Sequence, residues 1–257
     1  MMEKDITDLN TKIKEANKKL YNAIAEEYEH IDGRRSDKLK IWLRRQLLHI
    51  RKQVSGNSLL DVGTGSGFVT ECAKDIFELR IGTDLSFNII SNYRNRFSYA
   101  IVSDADNLCF KDNSFDVITC FSVLHHLYSF DSLVNEVDRL LKPGGIFYSD
   151  HDIDVYFKRR FSIPMYLYRK VCNISSKYIK AGRIAREIYD LSEYHKDGVD
   201  SSMLIRLFES KGFSVDMKFH WYGLHTITDC MFADRLFSQG YAPLIQLIAV
   251  KPPKDKI

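Results

Sequence analysis

An apolar run that ends in a carboxylate and three alternating glycines constrains this chain more than any other feature. Residues 59–68 read LLDVGTGSGF. Glycines at alternate positions let the backbone adopt positive φ and let a ligand approach more closely than a Cβ atom would permit. A helix that begins just after such a turn presents unpaired N–H groups to an electron-rich ligand. The segment therefore predicts a buried strand, a tight turn and a helix that together hold a nucleotide-like cofactor.

Strand and helix patterns alternate between residues 58 and 150. The strand candidates are Ser58–Val62, Arg80–Asp84, Tyr99–Ser103, Phe115–Phe121 and Gly145–Asp150. The helix candidates are Ser66–Phe77, Ser86–Arg96 and Asp131–Leu141. Pro143-Gly144-Gly145 is a strong turn signal before the fifth strand. Strands separated by helices of this length predict βαβ crossovers and a parallel sheet.

Helical patterns flank this alternation on both sides. Apolar residues at steps of three or four predict one helix over residues 5–30 and a second over residues 39–54. Beyond His151, two helices interrupted at Gly182 are predicted to form a lid, followed by a helix over Asp200–Ser210. The last strands are expected at Phe213–Tyr222 and Leu244–Val250. We divide the chain into a helical cap (1–57), a cofactor-binding half (58–150), a helical lid (151–197) and the C-terminal part of the core (198–257).

Composition narrows the class of protein. A formal net charge of +3 over 257 residues is too small to imply a nucleic-acid partner. The charged N-terminus shows no secretory signal, and no apolar run reaches the roughly 20 residues that span a bilayer. No Cys-x-x-Cys pair is present, so neither a metal site nor a disulfide framework is expected, and a cytoplasmic location with reduced thiols is predicted. The scattered cysteines are Cys72, Cys109, Cys120, Cys172 and Cys230.

Three carboxylates stand at the ends of the first three predicted strands. They are Asp61, Asp84 and Asp104. A nicotinamide or flavin dinucleotide is the alternative cofactor for a glycine turn, but its G-x-G-x-x-G pattern is replaced here by G-x-G-x-G. Since the carboxyl ends of parallel strands share one edge, the three acids would repel a pyrophosphate. They favour a cofactor that carries a positive charge and no phosphate.

The chain resembles the class I S-adenosylmethionine-dependent methyltransferases, and within them the small-molecule enzymes of the ubiquinone and menaquinone biosynthesis type. The matching motifs are LLDVGTGSG, IGTDLS, SDADNLCFKDNSFDVITCFSVLHHL and LLKPGGIFY, in order, between residues 58 and 150. The resemblance implies an α/β fold with a seven-stranded Rossmann-like sheet, its last strand antiparallel, and helices on both faces. It also implies S-adenosylmethionine as the cofactor.

The resemblance assigns cofactor contacts residue by residue. The methionine part would lie against Gly63, Thr64 and Gly65, with Asp61 near its amino group and the Phe121 carbonyl also accepting from it. The ribose hydroxyls would donate to Asp84, and the adenine would meet Leu85, Asp104 and the Ala105 N–H. Tyr21 or Tyr28 is a candidate to cover the methionine end. For the three acids, the alternatives are a helix cap at Asp84, a surface acid at Asp104 and an acceptor for loop N–H groups at Asp61.

Two histidines are candidates for catalysis. His125 follows the fourth predicted strand and His151 the fifth, where each could take a proton from an acceptor hydroxyl during methyl transfer. The alternative for each is a structural histidine. A sulfonium methyl group is already activated, so positioning alone could suffice and a base is not obligatory.

The lid is rich in positive charge. Residues 155–186 contain nine Lys and Arg residues, six interleaved aromatic residues and no acid. Arg159 and Arg160 are candidate contacts to an anionic substrate; the alternatives are a solvated face, an acidic membrane surface or nucleic acid.

The sequence favours a small-molecule or lipid-linked acceptor. The Asn/Asp-Pro-Pro-aromatic signature of many N-methyltransferases is absent after the fourth strand, which favours an oxygen acceptor, with nitrogen or carbon open. Two alternative functions are an RNA or protein methyltransferase that docks through the basic lid, and a non-catalytic binding protein. The acceptor and the oligomeric state stay open.

Overall fold

A computed structural model describes residues 2–32, 36–166 and 174–253 of the chain. Seven strands form one sheet in the order β3-β2-β1-β4-β5-β7-β6. Strands β1 to β5 pair in parallel, whereas β7 runs antiparallel to both β5 and β6. This confirms the predicted seven-stranded sheet with an antiparallel last strand. The strands are β1 Ser58–Val62, β2 Leu79–Asp84, β3 Tyr99–Val102, β4 Phe115–Phe121, β5 Leu141–Ile153, β6 Ser214–His220 and β7 Leu244–Val250.

Helices cover both faces of the sheet. Neighbouring residues on a strand point to opposite faces, so Val117 of β4 packs with one helical layer and Ile118 with the other. The layer against Val117 holds α3 and α4, and the layer against Ile118 holds α6 and α10. The α-helices are α1 Met2–Ala23, α2 Tyr28–Asp32, α3 Asp37–Arg51, α4 Phe68–Cys72, α5 Phe87–Asn92, α6 Phe130–Leu140, α7 Val155–Arg160, α8 Ile174–Gly182, α9 Arg186–Ser192, α10 Ser201–Ser210 and α11 Thr226–Phe232.

The predicted helix Ser86–Arg96 is shortened to α5, and two other predicted helices are cut short where the chain turns into the core. The helix expected over residues 5–30 breaks after Ala23, because the chain turns to bury Ile24 and Ala25 together, and α2 begins only at Tyr28. The helix expected over Ser66–Phe77 is reduced to the five residues of α4. After α4 the chain forms turns that bury Ile76 and Phe77 in the core. In both places tertiary burial overrides the local helical pattern.

Strand β5 is longer than predicted at both ends. It begins at Leu141 and passes through Pro143-Gly144-Gly145, where its register against β4 shifts instead of stopping. It also continues to Ile153, with a second shift between Asp150 and Asp152. The extra residue is His151, whose φ of 69° lies in the left-handed region that non-glycine residues rarely adopt. Such a bulge redirects side chains at the end of a strand, and here that end borders the cavity described below.

Part of the predicted lid falls outside the described residues. The helical positions Leu167 and Val171 lie there, as do Tyr168, Arg169, Lys170 and Cys172. The described part of the lid consists of α7, α8 and α9, and α8 ends at Gly182, where the sequence predicts an interruption. Among the residues that the structure describes, no helix has both the length and the apolarity needed to cross a bilayer.

Candidate cofactor and acceptor site

A cavity of about 1190 Å³ lies at the carboxyl ends of β1, β2, β3 and β4. The strand order reverses between β1 and β4, which is where open α/β sheets bind their ligands. Ligand pockets usually have volumes of about 300–1,000 Å³, so this cavity has room for two ligands. All the residues predicted to contact the cofactor line it, and so do both candidate histidines: Asp61, Gly63, Thr64, Gly65, Asp84, Leu85, Asp104, Ala105, Phe121, His125 and His151.

The glycine turn forms the floor of the cavity and tolerates no side chains. Gly63, Gly65 and Gly67 all have positive φ, between 54° and 77°. A Cβ atom at Gly63 would lie 2.6 Å from a methyl group of Val123, and one at Gly65 would lie 3.3 Å from the Tyr28 hydroxyl. The backbone of the turn is therefore open to a ligand in the cavity, while Val123 and Tyr28 pack closely against it.

Asp61 stabilises the glycine turn through hydrogen bonds. The side chain is buried, and its two oxygens accept hydrogen bonds from the hydroxyls of Thr64 and Thr119, both at 2.6 Å. The role of structural acceptor, which the sequence leaves open, is therefore present in the fold. A carboxylate has about four acceptor positions, so Asp61 retains the capacity to meet a ligand's amino group.

Asp84 ties the end of β2 to the glycine turn. Its oxygens accept the backbone N–H groups of Gly65 and Ser86, each at 2.9 Å. Burial raises the pKa of Asp84, and the hydrogen bonds from these N–H groups oppose the shift. Because each carboxylate oxygen can accept twice, the same side chain can also receive hydroxyl groups from the cavity.

Asp104 is held by a residue that the sequence did not single out. Lys14 Nζ lies 2.7 Å from Asp104 and 2.5 Å from Asp106. Burial disfavours the lysine charge, but the hydrogen bonds to the two acids outweigh it and raise the pKa of Lys14. Nothing in the local pattern of α1 distinguishes Lys14 from its other surface lysines. Only the tertiary fold brings it to the end of β3.

Helices α1 and α2 form one wall of the cavity. Asn10, Ile13, Lys14, Asn17 and Tyr21 line it from α1, and Tyr28 lines it from α2. Polar contacts join this wall to the ends of β4 and β2 and to the glycine turn. The anchoring pairs are Tyr21–His126 at 2.8 Å, Asn22–Ser86 at 2.7 Å and Glu29–Ser66 at 2.9 Å.

His125 is oriented by a fully buried carboxylate. Asp152 accepts the backbone N–H groups of Val123, Leu124 and His125 at 3.1–3.3 Å, and it lies 2.6 Å from Nδ1 of His125. The acid therefore holds the proton on Nδ1 and directs Nε2 elsewhere, as an acid does in an Asp–His pair. Nε2 lies 3.9 Å from Oε1 of Glu193, which also lines the cavity. Sequence reasoning missed Asp152 and Glu193, because neither stands in a motif.

His126 has a different environment from its neighbour. Its Nδ1 lies 2.7 Å from the Ser192 carbonyl and its Nε2 lies 2.8 Å from the Tyr21 hydroxyl. Burial, with a smaller contribution from His125, lowers the pKa of His126 to about 4. The neutral ring donates through Nδ1 and accepts through Nε2. It therefore joins β4, α1 and α9 and is structural.

Acid is expected to destabilise the protein through His126. Its pKa is about 4 in the fold and about 6.5 in an unfolded chain. The unfolded state binds this proton first, so the free energy of unfolding falls as the pH drops from about 6.5 to about 4, by at most about 3 kcal/mol. Urea unfolding at pH 7 and pH 4.5 measures the loss. It should be smaller in a His126→Gln variant, and an equal loss in both proteins would contradict this assignment.

His151 belongs to a buried polar network. Its Nδ1 lies 2.8 Å from Asp150, whose oxygens also meet His220, Tyr148 and Gln246 at 2.7–2.9 Å. Burial disfavours the charge of Asp150, but His220 and His151 outweigh it and hold the pKa of Asp150 well below its usual range.

The ring of His151 stacks on Phe121, with centroids 4.4 Å apart. One edge of the network thus reaches the cavity, at the position where Phe121 was predicted to present its carbonyl.

Arg159 and Arg160 do not line the cavity. Both are exposed. The Arg160 guanidinium stacks over the ring of Tyr241 at 3.9 Å and donates to its hydroxyl at 2.6 Å. Both arginines thus belong to an outer surface. Among the described residues of the predicted lid, the cations that line the cavity are Lys177, Arg186 and Lys196.

Two groups of described residues have the spacing of metal ligands. One is His125, His126 and Glu193, and the other is Asp150, His151 and His220. In both groups, ring nitrogens already contact protein acceptors such as Asp152, the Ser192 carbonyl and Asp150. We assign a metal to neither.

Comparison with known proteins agrees with this geometry. Residues 60–149 match the family model of a methyltransferase domain. The chain is similar to a ubiquinone biosynthesis O-methyltransferase from Thiobacillus denitrificans, with 32% identity over 115 residues, which are 42% of this chain and 50% of that protein. It is also similar to a protein from Homo sapiens named probable tRNA methyltransferase 9B, with 33% identity over 110 residues, 41% of this chain and 23% of that one.

Solved structures share the fold over most of the chain. An S-adenosylmethionine-dependent methyltransferase from Thermotoga maritima superposes with a TM-score of 0.59 at 17% identity, covering 90% of this chain and 98% of that one. In contrast, the matched region spans half or less of the first curated relatives. The family and the fold imply S-adenosylmethionine as the cofactor. Residues 60–149 thus match a methyltransferase domain, and the motifs, the sheet and the solved structures together support a class I S-adenosylmethionine-dependent methyltransferase.

Proposed function

We propose that this protein transfers a methyl group from S-adenosylmethionine to an oxygen of a small organic acceptor. The observation that carries the proposal is the convergence of Asp61, Asp84 and Asp104 on one cavity around the glycine turn. Asp61 and Asp84 suit a cationic sulfonium and an amino acid ammonium and would repel a pyrophosphate, whereas Asp104 already pairs with Lys14. When bound, S-adenosylmethionine supplies an activated methyl group on its sulfonium.

The cofactor residues follow from the positions in the cavity. The glycine turn would hold the methionine part, with Asp61 and the Phe121 carbonyl near its amino group. Asp84 would accept the ribose hydroxyls. The turn offers the close approach that such a ligand needs, since Gly63 and Gly65 line the cavity without a Cβ atom. Leu85, Asp104 and Ala105 would hold the adenine.

The rest of the cavity favours an acceptor with an aromatic or otherwise apolar body. Aromatic side chains are frequent on the lid side of the lining, beside the cations named above, and His125 and Glu193 also line the cavity. Apolar walls with a few convergent polar groups are typical of small-molecule sites. The aromatic residues on the lid side are Tyr128, Phe157, Phe161, Tyr166, Tyr178, Tyr189 and Trp221.

His125 is the better of the two candidates for a base. Asp152 fixes its tautomer, and the ring lines the part of the cavity where the acceptor is proposed to lie. It would take the proton from the acceptor hydroxyl as the oxygen attacks the methyl group. His151 is committed to the Asp150 network and would mainly shape the cavity through its stacking on Phe121.

Calorimetry should separate the two cofactor hypotheses. We expect the dissociation constant for S-adenosylmethionine to be at least about a hundredfold lower than that for NAD, because the acids favour the sulfonium and repel the pyrophosphate. Incubation with methyl-labelled S-adenosylmethionine and catechol, a probe with an aromatic hydroxyl, then tests transfer. Tighter binding of NAD would refute the cofactor assignment. Binding of S-adenosylmethionine without transfer to any hydroxyl probe would refute the oxygen acceptor alone.

A further inference from the structure

Large apolar side chains project into solvent beside the mouth of the cavity. Ile163 and Tyr166, which follow α7, are 72% and 65% exposed, and Ile227 and Met231 of α11 are 63% and 62% exposed. Tyr166 also lines the cavity, as do Leu224 and His225 just before α11. The exposed residues therefore border the opening through which an acceptor would enter.

A ladder of aromatic rings joins the two segments into one surface. Phe157 packs against Phe161 at 4.8 Å and against Trp221 at 5.1 Å, and Trp221 packs against Phe232 at 5.3 Å. The Trp221 indole also donates to the Tyr241 carbonyl at 3.2 Å. Because these rings pack between α7 and α11, the exposed side chains of the two segments are held in fixed relative positions.

Two exposed arginines give this surface an excess of positive charge. Arg159 and Arg160 are exposed, and Arg160 is held over Tyr241. Asp234, after α11, pairs with Arg45 at 3.1 Å, and Asp229 of α11 accepts the Gly223 N–H at 2.8 Å and keeps its single negative charge. Lys158 pairs with Asp197 at 3.2 Å.

We propose that this surface docks on an anionic lipid bilayer. We call it the rim surface and define it by Arg159, Arg160, Ile163, Tyr166, Ile227 and Met231. Exposed aliphatic and aromatic side chains beside arginines are typical of proteins that lie on a membrane, with apolar groups in the interface and cations near acidic headgroups. The docked orientation places the cavity mouth against the bilayer, so an amphiphilic acceptor passes into the site without crossing water.

Vesicle sedimentation tests the rim surface without knowledge of the acceptor. The full chain is mixed with vesicles of phosphatidylcholine alone or with phosphatidylglycerol. We expect binding to the anionic vesicles that weakens with salt. The double variant Arg159→Glu/Arg160→Glu should bind them about thirtyfold more weakly, since each arginine near such a surface contributes about a factor of five or more.

Matched variants on another face control for overall charge and apolarity. Arg94→Glu/Lys111→Glu changes the net charge equally at two exposed cations away from the rim surface, and it should bind as the wild type does. Ile163→Ser/Met231→Ser should also weaken binding, whereas Tyr99→Ser/Val102→Ser on the edge strand β3 should not. Equal losses in the rim and control variants would overturn the proposal. The absence of vesicle binding would also overturn the proposal. A short RNA that binds through the same two arginines, without vesicle binding, would point to a nucleic-acid surface instead.

Discussion

Replacing Asp84 with alanine is expected to weaken the binding of S-adenosylmethionine by about a hundredfold or more. The carboxylate is proposed to accept both ribose hydroxyls, and hydrogen bonds to a charged group contribute about 1.5–3 kcal/mol each. Losing two of them costs about 3 kcal/mol at least, which is roughly a hundredfold in the dissociation constant. Titration calorimetry with S-adenosylmethionine measures the change.

Two further variants separate ligand contact from damage to the fold. Asp84 also accepts the N–H groups of Gly65 and Ser86, so Asp84→Asn, which keeps the shape and one acceptor, should lose less affinity than the alanine variant. Asp116→Asn changes a buried acid that contacts Ser58 and Lys142 outside the cavity. It should lower the melting temperature and leave the cofactor affinity unchanged. Wild-type affinity in Asp84→Ala would remove Asp84 from the site.

Replacing His125 with asparagine is expected to lower kcat for a hydroxyl acceptor by about a hundredfold, since general bases contribute about 10²–10⁴ in rate. The affinity for S-adenosylmethionine should not change. Transfer of labelled methyl groups to catechol measures the rate, and titration calorimetry measures the affinity.

The positioning role of Asp152 gives an internal check on this assignment. Asp152→Asn keeps much of the loop in place but removes the charge that orients the ring, so it should lower kcat and leave the affinity for S-adenosylmethionine unchanged. His49→Asn alters an exposed histidine on α3 and serves as the matched control. An unchanged rate in His125→Asn would show that positioning alone drives transfer, or that the methylated atom carries no proton to be removed.

The sheet was predictable because its strands carry their own signals. Strands β1, β4 and β7 match their predicted bounds, since each is an apolar run with clear ends. The bounds of α4 and β5 were wrong for a shared reason: their ends are set by neighbouring elements. Pro143-Gly144 reads as a stop in any local analysis, yet β4 and β7 hold the chain in the sheet on either side of it. No local pattern announces the bulge at His151.

The residues of the candidate site also fall into two groups: those with a local sequence signal and those that only the fold brings to the cavity. The glycine turn and the three acids were visible because each follows directly from a strand end. Lys14, Asp152 and Glu193 were not, since each reaches the site from an element distant in sequence. Arg159 and Arg160 show the converse limit of sequence reasoning: a dense basic segment indicates a charged surface, but only the fold shows that neither arginine lines the cavity.

The cavity wall formed by α1 and α2 lies outside the segment that matches the methyltransferase family model. The segment recognised by the family model starts at residue 60, whereas Lys14, Tyr21 and Tyr28 border the ligand space. A truncated polypeptide that begins at residue 60 would keep the glycine turn but would lack the cavity wall formed by α1 and α2. Helices α1 and α2 therefore contribute to the candidate site alongside the signature motifs, although they contain none of those motifs.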